Sequence, residues 1–336
     1  MGDWLINYQG GFIRRGLFGE IALILSSYAD INTGLIVFLV QIVLYLVFFI
    51  FSYFLLKEQK LLTPYILLIF SPFIFAFQIH NVDGGFRKEI IYFALLSFVA
   101  WSSTRYQEKI FEKIVYGILL IYPLVILTHE MLAVFLPYIV AIYIVKLDLN
   151  VKRLVTLAVF ISLSVVSFIL ALLYPGTHEQ VTLIFDSLVD YSVEGGAISW
   201  LDKSASFGYN HLRAEFLSWG SIAGFSFTLV LSSLAYIPIT KKIHLLFHNQ
   251  EARYLILFSL IGTLPLFIVA VDWGRFVYIH LVSIFILSML MPSNTLNMNL
   301  KFNGMLEAIS NKRLLLVPAS VFFIAYSTSW YIRHTL

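Results

Sequence analysis

The chain has no cysteine among its 336 residues, and only 12% of those residues are charged. Without cysteine there is no disulfide framework, no thiolate nucleophile and no Cys-based metal site. A soluble domain carries about 25% charged residues. Half that density over this length cannot cover a water-facing surface, which excludes a soluble enzyme, a nucleic-acid binder and a disordered chain. The pattern of a signal peptide (basic n-region, short apolar stretch, small-residue cleavage site) is missing from the first residues as well. What the chain has in quantity is apolar bulk, with 60% hydrophobic residues, 17% aromatic ones and a mean hydropathy of +0.88. Its formal net charge of +3 is too small to argue for a polyanionic partner, so the placement of the charges matters more than their sum.

A helix crosses the hydrocarbon core with about 20 mostly apolar residues, and every backbone polar group inside the bilayer must be paired within the helix. Runs of this kind lie roughly at 31–56, 61–79, 89–101, 114–128, 131–145, 154–174, 216–239, 254–271, 277–291 and 314–332. They predict an all-α, polytopic transmembrane helix bundle of about ten spans (roughly 9–12), forming a single membrane domain over residues 1–336. The runs starting at Glu89, Ile114, Met131 and Val277 are short, and borrow flanking residues, tilt little or sit inside the bundle.

The connecting loops alternate in character. Fourteen of the 22 basic residues fall on one side of the alternation, in loops holding Lys57 and Lys60, Arg105 to Lys113, Lys146 to Arg153, Lys241 to Arg253, and Lys301 to Arg313. Lys and Arg are retained in the cytoplasm, so these loops are expected there. The opposite, extracytoplasmic face then carries residues 1–30, 80–88, 129–130, 175–215, 272–276 and 333–336. Positive charge on that face asks for a reason other than topology. The 12 apolar residues at 17–28 are too few to span and contain Glu20, which fits a short interfacial or re-entrant external helix. Two arrangements stay open for the start: a span preceding Met1, or a short span from Gly16 to Ser27 with a cytoplasmic N-terminus. The stretch 175–215 is a long periplasmic loop in which 181–189 is expected to form an amphipathic helix lying on the bilayer.

Four external constellations carry chemistry. The segment Gly10-Gly11-Phe12-Ile13-Arg14-Arg15-Gly16 is echoed by Asp83-Gly84-Gly85-Phe86-Arg87-Lys88-Glu89. Paired glycines let a backbone approach an anion, and adjacent cations hold a phosphate or pyrophosphate. The plainer alternative is that these basic pairs bind lipid headgroups. In Asp272-Trp273-Gly274-Arg275-Phe276 the guanidinium suits an anion and the indole a sugar's apolar face. The plainer alternative there is a turn in which Asp272 and Arg275 pair with each other. Thr128-His129-Glu130 sets a His beside a Glu in a polar break between apolar runs, a general acid/base pair or else a buried hydrogen-bonded one. The long loop adds His211 and Arg213 near its return to the membrane, while its remaining acids are expected to be solvated. Zinc fits poorly, since a His-Glu-x-x-His helix is missing along with the cysteines. No cofactor is implied.

Together these motifs give the chain a likeness to a family. The combination of Gly10 to Gly16, Arg87-Lys88-Glu89, Thr128-His129-Glu130 and Asp272-Trp273-Gly274-Arg275 resembles bacterial O-antigen (Wzy-type) polymerases and related surface-polysaccharide membrane proteins. Those polymerases commonly have more spans and a larger external loop. The resemblance implies a glycosyltransferase of the bacterial inner membrane. Such an enzyme polymerises undecaprenyl-diphosphate-linked oligosaccharide repeat units at the periplasmic face, in O-antigen or related lipopolysaccharide and polysaccharide biosynthesis. In that picture Arg14, Arg15, Arg87 and Arg275 neutralise the diphosphate, with Lys88, His211, Arg213 and Trp273 as further substrate contacts. Glu130 or His129 takes the acceptor's proton, and Asp83 and Asp272 act as bases or orient the arginines. No metal is required, no nucleic acid is bound, and room is left for a chain-length regulator as partner. Two rivals stand beside it. One is a polytopic glycosyltransferase using a lipid-phosphate-sugar donor, with Asp3 as its catalytic acid. The other is a non-enzymatic flippase or transporter, for which the sequence offers neither a halves-repeat nor midplane charges.

Overall fold

The computed structural model describes residues 2–59, 74–75, 85–191, 193, 195–216, 222–223, 226, 236, 239–270 and 272–291, and the regular elements among them are helical. Their contacts divide the chain into two compact units, Met1–Phe51 with Phe86–Ala205, and Ser52–Gly85 with Ser206–Leu336.

The first unit opens with a 3-10 turn at Gly2–Leu5, followed by α1 (Leu17–Ala29) and α2 (Thr33–Leu56). Then come α3 (Glu89–Arg105), α4 (Glu108–Thr128), a 3-10 stretch at Glu130–Phe135, α5 (Leu136–Lys146), α6 (Val151–Leu173) and α7 (His178–Asp186). The helix ends follow local chemistry. Asn150 caps α6 by accepting the Arg153 N–H at 2.9 Å. Pro137 opens α5, where its missing N–H costs nothing. Thr177 and Gln180 form a reciprocal capping box on α7. A helix expected at 181–189 forms three residues earlier, at His178–Asp186.

Helices α2, α4 and α6, with Gln250–Val269 in the second unit, are long and apolar enough to cross a membrane, which makes this a multi-pass membrane protein. The expectation of about ten spans is thereby corrected to four among the described residues. Run 314–332 lies outside those residues, and so do 61–79 and 216–239 apart from a few positions. The runs at 89–101, 131–145 and 277–291 become helices of 17, 11 and 16 residues whose apolar side chains face protein. In α5 every residue from Leu136 to Tyr143 is buried, and α3 buries Tyr92, Phe93, Leu96 and Val99. By contrast α6 buries only Leu157, Ser164, Ser167 and Ala171. Its lipid-facing surface is Leu, Val and Ile, and its small residues pack against protein, as membrane helices prefer. At 13 residues α1 is about 20 Å long, short of a span.

Loops that the alternation assigns to one face meet within this unit. At one end the Arg153 Nε and the hydroxyls of Tyr116 and Tyr143 all donate to Glu112 Oε1 at 3.0 Å. At the other end the Arg14 N–H reaches the Tyr174 carbonyl at 2.9 Å, and Lys88 reaches the Thr128 carbonyl at 3.0 Å.

The second unit contains α8 (Ala205–His211), a π-helical turn at Leu212–Phe216, α9 (Thr240–His248), α10 (Gln250–Thr263), α11 (Leu266–Val269) and α12 (Trp273–Ser288). The buried Lys242 Nζ donates to Gln59 Oε1 and to the Met291 carbonyl, each at 2.7 Å. A cation thus sits by the carbonyl end of α12, where the helix dipole favours it.

Candidate functional site

The first unit gathers ionisable side chains from four separate stretches into one partly buried cluster. Gly10 to Gly16 form a tight loop, in which the Gly11 N–H donates to the Tyr8 carbonyl at 2.8 Å. The reason for the glycine pair is packing. A Cβ on Gly10 would lie 2.9 Å from the Gln180 Cα, and Gly11 sits at φ 98°. Gln180 Nε2 closes over them, donating to the Gly10 carbonyl at 3.1 Å.

The two arginines of this loop have different surroundings. Arg14 lies beneath the long loop, with Nη2 3.4 Å from the Trp200 and Leu201 carbonyls and Nη1 3.8 Å from Glu130 Oε1. Its Nε is buried without a hydrogen-bond partner among the described residues. Arg15 adopts a left-handed backbone, φ 67°, a conformation that costs a non-glycine residue roughly 1–3 kcal/mol. Its guanidinium closes on Glu130, with Nε 2.9 and 2.8 Å from the two carboxylate oxygens and Nη2 2.6 Å from Oε1.

Glu130 arrives there because α4 stops short. Pro123 lies inside that helix, and His129 takes an extended backbone, φ −161°, before the 3-10 stretch begins. His129 Nδ1 is then 3.7 Å from Glu130 Oε2 and its Nε2 is 3.8 Å from Glu89 Oε1. Lys88 precedes α3 and is fully buried. Its ammonium donates to the Arg15 carbonyl at 3.1 Å and the Thr128 carbonyl at 3.0 Å, and lies 4.0 Å from Asp3 Oδ1.

The charges balance. Arg14, Arg15 and Lys88 face Asp3, Glu89 and Glu130, and His129 is held neutral because burial and then the Arg15 cation lower its pKa. Burial pushes the Glu130 carboxyl up, but the Arg15 charge, the nearby His129 and the hydrogen bonds from Arg15 outweigh it and hold it well below the usual carboxylate range. Burial lowers Arg15 in turn, yet Glu130 more than compensates and its pKa is raised. Burial, joined by the neighbouring Arg15 charge, lowers Arg14. Burial also takes the Lys88 ammonium down to about 8, against the opposing pull of Asp3.

Six of the residues singled out in the sequence belong to this unit: Arg14, Arg15, Arg87, Lys88, His129 and Glu130. Arg87 is partly exposed, with no hydrogen bond or ion pair among the described residues. Lys88 spends its ammonium on backbone carbonyls, which is a positioning role in this ligand-free arrangement. Asp83 lies outside the described residues. In the second unit Arg275 is buried and its Nη1 is 2.8 Å from Asp272 Oδ2, the paired-turn alternative. The Trp273 indole donates to the Phe267 carbonyl at 2.9 Å. His211 stacks on Phe207 with ring centroids 6.3 Å apart, and Arg213 is exposed.

Sequence reasoning passed over Glu89 as a member of the site and held Asp3 only for a rival reading. The signal was present: three cations at the ends of apolar helices require acids beside them, and Glu89 closes one of the basic motifs while Asp3 lies just ahead of the other. Among the described residues no group of three or more His, Asp or Glu side chains is arranged to hold a metal ion. The arrangement can bind an anion through Arg14 and, if Glu130 yields, through Arg15. It can accept a proton at Glu130 once that carboxylate leaves its arginine. No family model, curated protein or solved structure matches the chain.

Proposed function

We propose that this chain is a polysaccharide polymerase, a glycosyltransferase of the bacterial inner membrane. It joins undecaprenyl-diphosphate-linked oligosaccharide repeat units at the periplasmic face. The observation that carries the reading is the convergence of Arg14, Arg15, Lys88, His129 and Glu130, from motifs far apart in sequence, on one partly buried cluster at an end of the apolar helices. Anion-binding guanidinium groups and a carboxylate base within one cluster are the parts such a transfer needs. Diphosphate is already a good leaving group, so neutralising it suffices and no acid need protonate it. The long apolar helices supply a lipid-compatible wall for an isoprenoid tail.

A second reading has one observation in its favour. Asp3, the acid a lipid-phosphate-sugar-dependent transferase would use, is buried in the same cluster, 4.0 Å from Lys88. One assay separates the two. The purified chain in lipid nanodiscs is given a defined undecaprenyl-diphosphate-linked repeat unit or, separately, an undecaprenyl-phosphate sugar with an acceptor. A ladder of products from the first supports polymerisation. A single addition from the second, with no ladder from the first, supports the monophosphate donor, and no product from either overturns both.

A further inference from the structure

Glu130 cannot act as a base in the arrangement described above. Its two oxygens occupy the Nε and Nη2 edge of Arg15, the edge a phosphate would take, and the contact distances of 2.6–2.9 Å leave no room for a second anion. An Arg15 so occupied has lost its Nε–Nη2 fork and offers a diphosphate only its remaining Nη1 side. Base and anion therefore compete for the same bidentate edge, and full use of both requires that they separate.

We propose that the diphosphate of the lipid-linked donor displaces Glu130 from Arg15, so that binding of the donor is itself the step that frees the base. This rests on the glycosyl-transfer reading above. Three features favour an exchange over a permanent structural pair. First, a second cation stands at the same carboxylate without engaging it closely. Arg14 Nη1 is 3.8 Å from Glu130 Oε1, its Nη2 makes only 3.4 Å contacts to carbonyls, and its Nε lacks a hydrogen-bond partner among the described residues. An arriving phosphate oxygen therefore finds donors at Arg14 before any existing pair must break. Second, Glu130 has somewhere to go, because His129 Nδ1 is 3.7 Å from its Oε2. Third, the Arg15 backbone is held independently of the pair, since its carbonyl accepts from Lys88 at 3.1 Å. Opening the pair leaves the guanidinium anchored for the new anion.

The consequence for reactivity follows from burial. Beside Arg15 the carboxylate is a weak base, held well below its usual range. Once the guanidinium is taken up by phosphate, the burial that opposes ionisation remains, and the proton affinity of Glu130 rises. The acceptor hydroxyl then gives its proton to the Glu130 carboxylate while its oxygen bonds to the anomeric carbon. The bond between that carbon and the phosphate oxygen breaks, and its electron pair leaves with undecaprenyl diphosphate, held by Arg14 and Arg15. When that product departs, the protonated Glu130 returns its proton to water and closes again on Arg15.

The test is a binding measurement, independent of turnover. Affinity for undecaprenyl diphosphate, and separately for inorganic pyrophosphate, is measured on the full chain in nanodiscs for wild type, Glu130→Gln, Glu130→Asp and Arg15→Ala. Exchange predicts at least tenfold tighter binding in Glu130→Gln, where the competing anion is gone. It predicts a smaller gain in Glu130→Asp, whose shorter arm pairs less well, and at least tenfold weaker binding in Arg15→Ala. Glu130→Asp carries the test where Glu130→Gln does not fold. Binding unchanged or weakened in a folded Glu130 variant overturns the exchange. Tightening for the lipid but not for pyrophosphate assigns the site to the lipid carrier, whereas tightening for both assigns it to the diphosphate alone. If the polymer assay yields no product while Glu130→Gln still tightens binding, polymerisation fails and the exchange stands.

Discussion

The ammonium of Lys88 lies 3.1 Å from the carbonyl oxygen of Arg15, so the start of α3 fixes a residue whose φ is 67°. Removing that ammonium leaves the buried carbonyl of Thr128 and the partly buried carbonyl of Arg15 without this donor. Each unpaired group costs about 1–3 kcal/mol. Lys88→Met is therefore expected to lower the thermal stability of the detergent-solubilised protein and to abolish polymer, with membrane insertion intact. The pH dependence has a definite sign. The lysine titrates at about 8 when folded and at 10.5 when free, so between those values the unfolded chain holds the extra proton and stability rises with pH. Unfolding midpoints of wild type and Lys88→Met across that window test this, and the wild type should gain on the variant.

Arg15 and Glu130 should show strong coupling. Removing either partner alone strands a buried charge, at roughly 3–5 kcal/mol. Replacing both with Met should cost less than the two single losses together, by at least about 1 kcal/mol in a double-mutant cycle. Because its folded pKa lies well below 4.5, Glu130 contributes stability that is complete above 4.5, shrinks progressively as pH falls below it and is lost once pH has passed the folded value. Chemical denaturation down an acid series reads this out as a gap between wild type and Glu130→Gln that is constant above 4.5 and narrows below it.

Gly19 is a packing residue. A Cβ there would lie 2.0 Å from the Ile6 carbonyl oxygen and 2.7 Å from its carbon, backbone atoms that no rotamer change can move aside. Gly19→Ala should destabilise by about 1–3 kcal/mol or more, seen as a lowered unfolding midpoint. The isosteric space around Gly117, where nothing lies within 4 Å of such a Cβ, makes Gly117→Ala the control, with stability unchanged or raised.

Arg275 is tied to Asp272 at 2.8 Å and is nearly buried. Arg275→Ala should abolish long polymer while leaving insertion normal. Arg275→Lys should be poorly tolerated, because an ammonium cannot reproduce the planar fork of the guanidinium. Asp272→Asn keeps an acceptor for Arg275 and should retain a shortened ladder. Product length on gels distinguishes the three.

The natural lack of cysteine permits a clean topology map. Single cysteines at Gln9 and Glu179 should react with an impermeant maleimide from the periplasm, and one at Leu149 only after the inner membrane is opened. Reversed labelling would invert the orientation drawn from the basic loops.

Much of this molecule was legible before its coordinates. Helical spans at 31–56 and 154–174 were plain because long runs of Leu, Ile, Val and Phe admit one structure in lipid. The polar break at Thr128 to Glu130 and the basic loop at Arg14 and Arg15 were plain because charge beside apolar helices stands out. The count of spans was not legible. Ile139 and Val140 of α5 are as apolar as Leu163 and Val165 of α6, yet the former meet protein and the latter face outward, and hydropathy measures transfer from water without naming the destination. Nor was pairing legible. Glu130 read as a base by its neighbour His129, but its partner is Arg15, 115 residues away, and only the folded chain supplies that contact.

At 17 and 11 residues, α3 and α5 are each too short to cross the hydrocarbon core alone. Each would leave the translocon as an incomplete span, and α3 would bring the charges of Lys88 and Glu89 with it. Their retention in the bilayer waits on α4 and α6, which carry enough outward-facing Leu, Val and Ile to anchor themselves. Biogenesis is therefore most vulnerable while α3 has emerged and α6 has not, and a ribosome stalled in that interval would hold a segment the quality-control machinery treats as unfolded.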